Sequence, residues 1–194
     1  MALSGYFSII DFCSQDQLAR LSNIKSKADD KYIARYKAPD RQNASLTVRN
    51  LARYILSLET GIPELEWEFI VLPNNTRIAV SLSGLELYVS FSHSKNFGAV
   101  AISEAAIGID IEEIKNRRPW KEMTEFLDLP LKNTAIQNQI EFLHHWTALE
   151  AKIKFRCASE KAIINHHYRP EKHTILCVAS PYNASRKPEF IPLI

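Results

Sequence analysis

The chain lacks the features that mark several large classes of protein. Glycine is scarce, with five among 194 residues, which excludes glycine-rich fibrous and low-complexity proteins. No apolar stretch approaches the roughly 18 residues that a membrane-spanning helix needs. The 24 Lys and Arg residues nearly balance the 22 Asp and Glu residues, and a net charge of +2 gives no support to nucleic-acid binding. We therefore expect a protein that contacts neither membranes nor nucleic acids.

Paired cysteines and zinc-finger spacings are also missing. Cys13, Cys157 and Cys177 are odd in number and far apart, which is typical of reduced thiols rather than of a disulfide framework. The N-terminal residues have no basic flank before an apolar run, so no signal peptide is predicted and a cytoplasmic protein is expected. The histidine pairs at 144–145 and 166–167 are expected to be structural or solvent-facing, because neighbouring histidines on a helix point in different directions.

The composition that remains is that of an ordinary globular protein, with 46% hydrophobic and 24% charged residues. The spacing of apolar residues and the positions of Pro, Gly and Asn predict a succession of short strands and amphipathic helices. Strands are predicted over 5–12, 65–72, 77–81, 87–91, 98–102 and 107–111, with two or three more within 162–194, and helices over 16–36, 40–61, 119–129 and 134–157. This order predicts the α+β class, with two lobes that meet near residue 105.

Two acidic residues lie close together in the segment 107–112. Asp110 and Glu112 are two residues apart, so their side chains project from the same face of an extended strand. Neighbouring carboxylates repel each other unless a shared cation keeps both ionised, and oxygen ligands of this kind suit Mg²⁺. The pattern indicates a candidate metal site, although two exposed acids on a strand are also common in proteins that bind no metal.

Two further segments contain residues that suit phosphate chemistry. Glu150 and Lys154 are four residues apart near the end of the last predicted helix and share one face. They form either a solvated ion pair or a carboxylate and an ammonium group that face a ligand. Ser92 and His93 follow a predicted strand and offer a hydroxyl and an imidazole to an anion. A serine hydrolase is the rival interpretation, but no G-x-S-x-G elbow surrounds either nearby serine.

The order and spacing of these segments resemble a known family. Ser-His-Ser at 92–94 is followed by I-G-I-D-I-E at 107–112 and by W-T-x-x-E-A-x-x-K at 146–154. Together the motifs resemble the 4′-phosphopantetheinyl transferase superfamily, and the full N-terminal half ahead of the histidine is similar to its longer, Sfp-type branch. The resemblance implies two similar α/β lobes, 1–104 and 105–194, packed as a pseudo-dimer within a monomer.

Enzymes of this family are holo-[acyl-carrier-protein] synthases, which use Mg²⁺ to transfer the 4′-phosphopantetheine group of coenzyme A to a serine of an apo acyl or peptidyl carrier protein. The resemblance implies that Asp110, Glu112 and Glu150 bind the metal ion. It assigns catalysis to Glu150, Lys154 and His93. The coenzyme A contacts that it implies are Ser92, His93, Lys154, Arg77, Arg49 and Arg53. Arg49 and Arg53 share a helix face, and a solvated surface is the alternative for that face.

Three departures from the family pattern keep other functions open. Leu149 replaces a lysine that usually precedes the helix glutamate, and Leu131 stands where a further glutamate falls. The usual G-x-G after the helix lysine is also missing. A pseudoenzyme that binds coenzyme A or a carrier protein without transferring anything is therefore the alternative to an active transferase. A metal-dependent phosphohydrolase that uses the same acids is a third interpretation.

Overall fold

The computed structural model describes residues 6–9, 15–24, 26–94, 97–115, 119–126, 136–155, 163–170, 172–181 and 188–190. Within these segments the chain is an α+β protein. The strands are β1 (Tyr6–Ile9), β2 (Trp67–Val71), β3 (Arg77–Ser81), β4 (Glu86–Ser94), β5 (Phe97–Ser103), β6 (Gly108–Glu113), β7 (Ile163–Tyr168), β8 (Thr174–Pro181) and β9 (Glu189–Phe190). The α-helices are α1 (Gln15–Asn23), α2 (Lys27–Ile33), α3 (Pro39–Thr60), α4 (Trp120–Phe126) and α5 (Gln139–Phe155).

Among the described residues, the first sheet contains six strands and is covered by the long helix α3. The strand order is β2-β3-β4-β5-β1-β9, antiparallel at every junction except the parallel pair of β1 and β9. Pro39 begins α3, and Gly61 ends it in the left-handed conformation with φ of 73°, in agreement with the preferences of helix termini. The apolar face of α3 packs on the sheet through a core that includes Leu21, Leu51, Ile55, Trp67, Val89 and Val100.

In the part of the chain that the structure describes, the second sheet has three antiparallel strands in the order β6-β8-β7, and α5 covers one of its faces. Successive side chains of a strand point to opposite faces, and β8 follows this rule with both faces buried. Cys177 packs against Ala151 and Phe155 of α5, whereas Leu176 and Val178 face the first sheet. The buried strand β8 therefore joins α5 to the interior of the molecule.

The two sheets pack face to face, which gives four layers in the order helix, sheet, sheet, helix. Small and branched side chains fill the space between the sheets, among them Ala99, Ala101, Ile107, Ile109, Ile111 and Val178. The chain passes from one sheet to the other between β5 and β6, close to the predicted boundary at residue 105. The short strand β9 nevertheless returns to the first sheet, where it pairs with β1.

The predicted α+β class is confirmed, and the predicted helices and strands recur with small shifts at their ends. The helix predicted over 16–36 is in fact two helices, α1 and α2, because the chain adopts an extended conformation at Ser26 (φ −110°, ψ 126°). The predicted end of the helix over 119–129 lies outside the described residues, as do Leu131, Cys13 and Cys157. Within the described segments, every helix is too short or too polar to cross a bilayer.

Gly108 marks the closest approach of α5 to β6. A Cβ atom at this position would lie 2.7 Å from the backbone nitrogen of Phe155 and closer still to the carbonyl oxygen of Ala151. Both obstacles are backbone atoms, so α5 itself would have to move. We expect Gly108→Ala to lower the free energy of unfolding by roughly 1–3 kcal/mol in urea denaturation, as overpacked sites do. Ala105→Ser, in the exposed turn before β6, should change it by less than about 0.5 kcal/mol. An equally small effect of Gly108→Ala would contradict the close packing.

Candidate functional site

Three serines at alternate positions of β4 join the two sheets. Their hydroxyl oxygens accept hydrogen bonds from backbone N–H groups of β6, in the pairs Ser90–Ile109 (3.1 Å), Ser92–Ile111 (3.2 Å) and Ser94–Glu113 (3.3 Å). β6 is an edge strand of its sheet, and unpaired backbone groups at a buried edge cost stability. The serine hydroxyls therefore take the place of a neighbouring strand, and β6 is fixed against β4.

The same serine that anchors the middle of β6 also contacts the first acidic side chain. The Ser92 hydroxyl donates to Oδ1 of Asp110 at 2.7 Å. From α5, the Lys154 ammonium group donates to the same carboxylate oxygen at 2.6 Å and to Oγ of Ser92 at 3.2 Å. The three motif segments of the sequence, which lie up to 62 residues apart, thus meet in one group of contacts at the junction of β4, β6 and α5.

A parallel set of contacts holds the second acidic side chain. The Ser94 hydroxyl donates to Oε2 of Glu112 at 3.0 Å, and the indole N–H of Trp146 donates to Oε1 at 3.3 Å. Asp110 and Glu112 are therefore each held by one serine of β4 and one side chain of α5. This arrangement fixes the positions of both carboxylates before any ligand arrives.

Asp110 is an unusual carboxylate because it is almost completely buried, with 5% of its surface exposed. Burial raises its pKa to about 6, and the neighbouring Lys154 ammonium and Ser92 hydroxyl oppose this effect only in part. Its second oxygen, Oδ2, is buried and has no hydrogen-bond partner within the described part of the chain. A buried acceptor without a donor is costly, so Asp110 is suited to receive a cationic or hydrogen-bonding ligand.

The raised pKa of Asp110 predicts a specific dependence of stability on pH. The pKa is about 6 in the folded protein and about 3.9 in an unfolded chain. Only the folded protein therefore holds the extra proton between these values. Protonation of Asp110 in the folded protein therefore contributes stability that is fully present below about pH 4 and is lost as the pH rises through about 6. From about pH 4 to 7, we expect the free energy of unfolding to fall by roughly 3 kcal/mol relative to Asp110→Asn. The free energy of unfolding of Asp30→Asn, a change at an exposed position, should follow that of the wild type over the whole pH range. If the curve of Asp110→Asn ran parallel to that of the wild type, the raised pKa of Asp110 would be contradicted.

A cavity of about 380 Å³ opens beside these contacts, between the start of α3 and the end of β4. Its lining residues are Asp40, Arg41, Ala44, His93, Ser94, Glu112 and Lys115. Burial lowers the pKa of His93, and the positive charges of Lys154 and Arg41 lower it further. His93 is therefore a neutral imidazole at pH 7. The charged residues of the lining are the cations Arg41 and Lys115 and the carboxylates Asp40 and Glu112, so the cavity suits a ligand that carries both an anionic group and a bound cation.

The metal centre of Asp110, Glu112 and Glu150 that the resemblance implies stays a prediction. Asp110, Glu112 and Glu150 all belong to the described segments, and no group of three or more His, Cys, Asp or Glu residues in those segments is arranged to hold a metal ion. Asp110 and Glu112 alone still fit Mg²⁺, which commonly takes one or two carboxylates together with water and substrate phosphate. The unpartnered Oδ2 of Asp110 is the oxygen that such an ion would contact.

Of the three arginines predicted to contact the nucleotide, two lie in the interior beside α2 and one is partly buried at the start of β3. Arg49 and Arg53 are buried and form ion pairs with Asp29, so the alternative of a solvated helix surface is wrong. Arg77 lies beside Tyr32, whose pKa is raised by burial but lowered overall by the charge of Arg77 and its neighbours. None of the three arginines lines the cavity near His93.

Several residues of the site were not identified from the sequence. Ser94 and Trp146 belong to the recognised motifs, but their contacts with Glu112 were not predicted. The alternation of serines at 90, 92 and 94 was the available signal, since it places three hydroxyls on one face of a strand. Arg41 and Lys115 carry no such signal, because their approach to the cavity depends on how α3 and the chain after β6 are placed.

The site is thus a junction of two strands and one helix, with two fixed carboxylates, one lysine and a cavity lined by charged side chains of both signs. Such a combination is suited to binding a phosphate-containing ligand, with or without a divalent ion. No protein-family model and no curated protein matches this chain. Its function is therefore inferred from these residues and from the resemblance of their motifs.

Proposed function

We propose that this protein is a phosphopantetheinyl transferase of the Sfp type. It would transfer the 4′-phosphopantetheine group of coenzyme A to a serine of an apo carrier protein. One observation supports the proposal more than any other. The three segments with motif resemblance interlock at one place, where Lys154 contacts both Asp110 and Ser92. A chance resemblance of three separate segments gives no reason for them to meet.

The proposed reaction needs positive charge at the diphosphate of coenzyme A. The hydroxyl oxygen of the carrier serine forms a bond to the β-phosphorus, the bond from that phosphorus to the bridging oxygen breaks, and 3′,5′-ADP leaves with the electron pair. Negative charge grows on the leaving diphosphate oxygen, and a fixed ammonium group there lowers the barrier. Lys154 is held for this role by its contacts with Asp110 and Ser92.

The remaining residues bind and orient the substrate in this proposal. Asp110 and Glu112 would hold Mg²⁺, which when bound supplies further positive charge to the diphosphate. His93, with Arg41 and Lys115, lines the cavity and would bind a phosphate group of coenzyme A. Glu150, one helical turn before Lys154, is the candidate acceptor for the serine proton. Arg49 and Arg53 are left out because both are paired with Asp29.

The proposed enzyme has a pseudo-dimeric fold. Each sheet has one long helix on its outer face, α3 on the first and α5 on the second. Two such units, 1–104 and 105–194, would form an internal pseudo-dimer, and the chain would act as a monomer in the cytoplasm. The sheets differ in size, with six and three strands among the described residues, so the two lobes are related in arrangement rather than in strand number.

The decisive experiment measures the mass of a carrier domain. The protein is incubated with an apo carrier domain, coenzyme A and Mg²⁺, and the intact carrier is weighed by mass spectrometry. We expect the carrier to gain one phosphopantetheine group at its serine, and to gain none when Mg²⁺ is chelated. Apo carriers of the fatty-acid, polyketide and peptide-synthetase types should be tested in parallel. The absence of any mass gain with all three would contradict the proposed activity.

A pseudoenzyme that binds coenzyme A or a carrier protein is the second candidate. It is favoured by Leu149, which replaces the usual lysine. This candidate predicts saturable binding of coenzyme A or of the carrier without a change in carrier mass. A phosphohydrolase instead predicts breakdown of coenzyme A when no carrier is present.

A further inference from the structure

Two histidines from different elements meet where α5 contacts β7, which is separated from β6 by β8 in the second sheet. His144 lies on α5 and His167 on β7, and their Nδ1 atoms are 3.3 Å apart. The ring centroids are 5.0 Å apart and the ring planes are inclined by 71°. The contact joins one histidine of the pair 144–145 to one histidine of the pair 166–167, rather than two neighbours in the sequence. It arises because α5 packs across the sheet that contains β7.

We propose that His144 and His167 form a binding site for a tetrahedral divalent metal ion, of which Zn²⁺ is the representative. Zinc binds imidazole nitrogens at about 2.0–2.1 Å, and a tetrahedral angle then separates two such nitrogens by about 3.3–3.4 Å. The two Nδ1 atoms already have this separation. A square-planar ion requires a shorter separation, of about 2.9 Å. The observed distance therefore favours a tetrahedral ion.

The chemical state of the two rings also suits metal binding. Burial lowers the pKa of His144, as do Arg169 and His145, and burial together with the charge of His144 lowers the pKa of His167. Both imidazoles are therefore neutral at pH 7, which is the form that binds metals. Without a metal, one Nδ1–H donates to the other Nδ1. A bound ion would take the place of that proton, with both rings in the Nε2–H tautomer.

The site is open to solvent, since both histidine side chains are buried only in part. No third His, Cys, Asp or Glu completes a group with these two in the described segments, so water would fill the remaining positions. Arg169 lies near His144 and reduces the affinity for a cation. The ion would connect α5 to β7, and its binding would stabilise the folded protein in proportion to the logarithm of metal concentration. This metal site is independent of the proposed transferase reaction.

The test is a calorimetric titration of the full chain with Zn²⁺, alongside His144→Ala, His167→Ala and His173→Ala. His173 is an exposed histidine before β8 and is the matched control. We expect one Zn²⁺ ion per wild-type chain, at least tenfold weaker binding in each variant of the pair, and unchanged binding in His173→Ala. Co²⁺ should give the strong visible absorption of a tetrahedral site with the wild-type protein. It should not do so with His144→Ala or with His167→Ala. The proposal would be overturned if the wild-type protein did not bind Zn²⁺, or if either His144→Ala or His167→Ala kept its affinity for Zn²⁺ within twofold of the wild type. An equal loss of affinity in His173→Ala would also overturn it.

Discussion

Replacing Asp29 with alanine is expected to lower the free energy of unfolding by about 3–5 kcal/mol, the cost of breaking a buried ion pair. Asp29 is fully buried in α2 and accepts a hydrogen bond from Nε of Arg49 at 2.5 Å and another from Nη1 of Arg53. Without Asp29, two guanidinium groups inside the core would lose their counter-ion. A domain whose total stability is about 5–15 kcal/mol would be close to unfolding at body temperature.

The control for this prediction is the next residue. Asp30→Ala removes an exposed carboxylate from the same helix and should change the free energy of unfolding by less than about 0.5 kcal/mol. Both variants are measured by urea denaturation at pH 7. A cost below about 1 kcal/mol for Asp29→Ala would show that the arginines find other partners or reach water. Their contacts with aromatic rings, such as that of Arg53 with Phe69 at 4.6 Å, would then supply more of the stability than the carboxylate does.

Lys154→Met should reduce kcat/KM for transfer by about 100- to 1000-fold, which is the usual effect of removing one donor that stabilises a transition state. Methionine preserves the unbranched shape of the side chain but removes its charge. Because Lys154 opposes the effect of burial on Asp110, the same substitution should raise the pKa of Asp110 further. The carboxylate would then be protonated over more of the neutral range, which adds to the loss of activity.

Lys152→Met is the matched control, since it removes a cation from the same helix two residues away. We expect its kcat/KM to stay within threefold of the wild type, and circular dichroism should show both variants folded. Equal losses in the two variants would point to a general effect of charge on α5 rather than to the contacts of Lys154. A folded Lys154→Met protein with wild-type activity would remove Lys154 from the proposed mechanism.

The fold was predictable wherever local pattern determines structure. Pro39 and Gly61 bracket α3 at its observed ends, and the apolar runs gave the strands around the site. The two-residue spacing of Asp110 and Glu112 was enough to place both carboxylates on the same face of β6. These inferences need only the geometry of a helix or a strand.

The pairings between distant residues were not predictable in the same way. Lys154 reaches Asp110 only because α5 lies directly on Gly108, and no local signal specifies that packing. Arg49 and Arg53 have the spacing of a surface helix, but Asp29, some twenty residues earlier, draws them into the core. His144 and His167 likewise meet through tertiary packing. The sequence alone shows what chemical group each of these residues carries, but it does not show which residue that group contacts.

The claim that most needs testing is that the junction of Ser92, Asp110 and Lys154 receives the diphosphate of coenzyme A. Phosphorus NMR addresses it directly, because the diphosphate and the 3′-phosphate of coenzyme A give separate resonances. Titration with the wild-type protein should shift or broaden the diphosphate resonances, and Lys154→Met should abolish that effect. Diphosphate resonances that do not respond to an excess of wild-type protein, or that respond equally to Lys154→Met, would contradict the account.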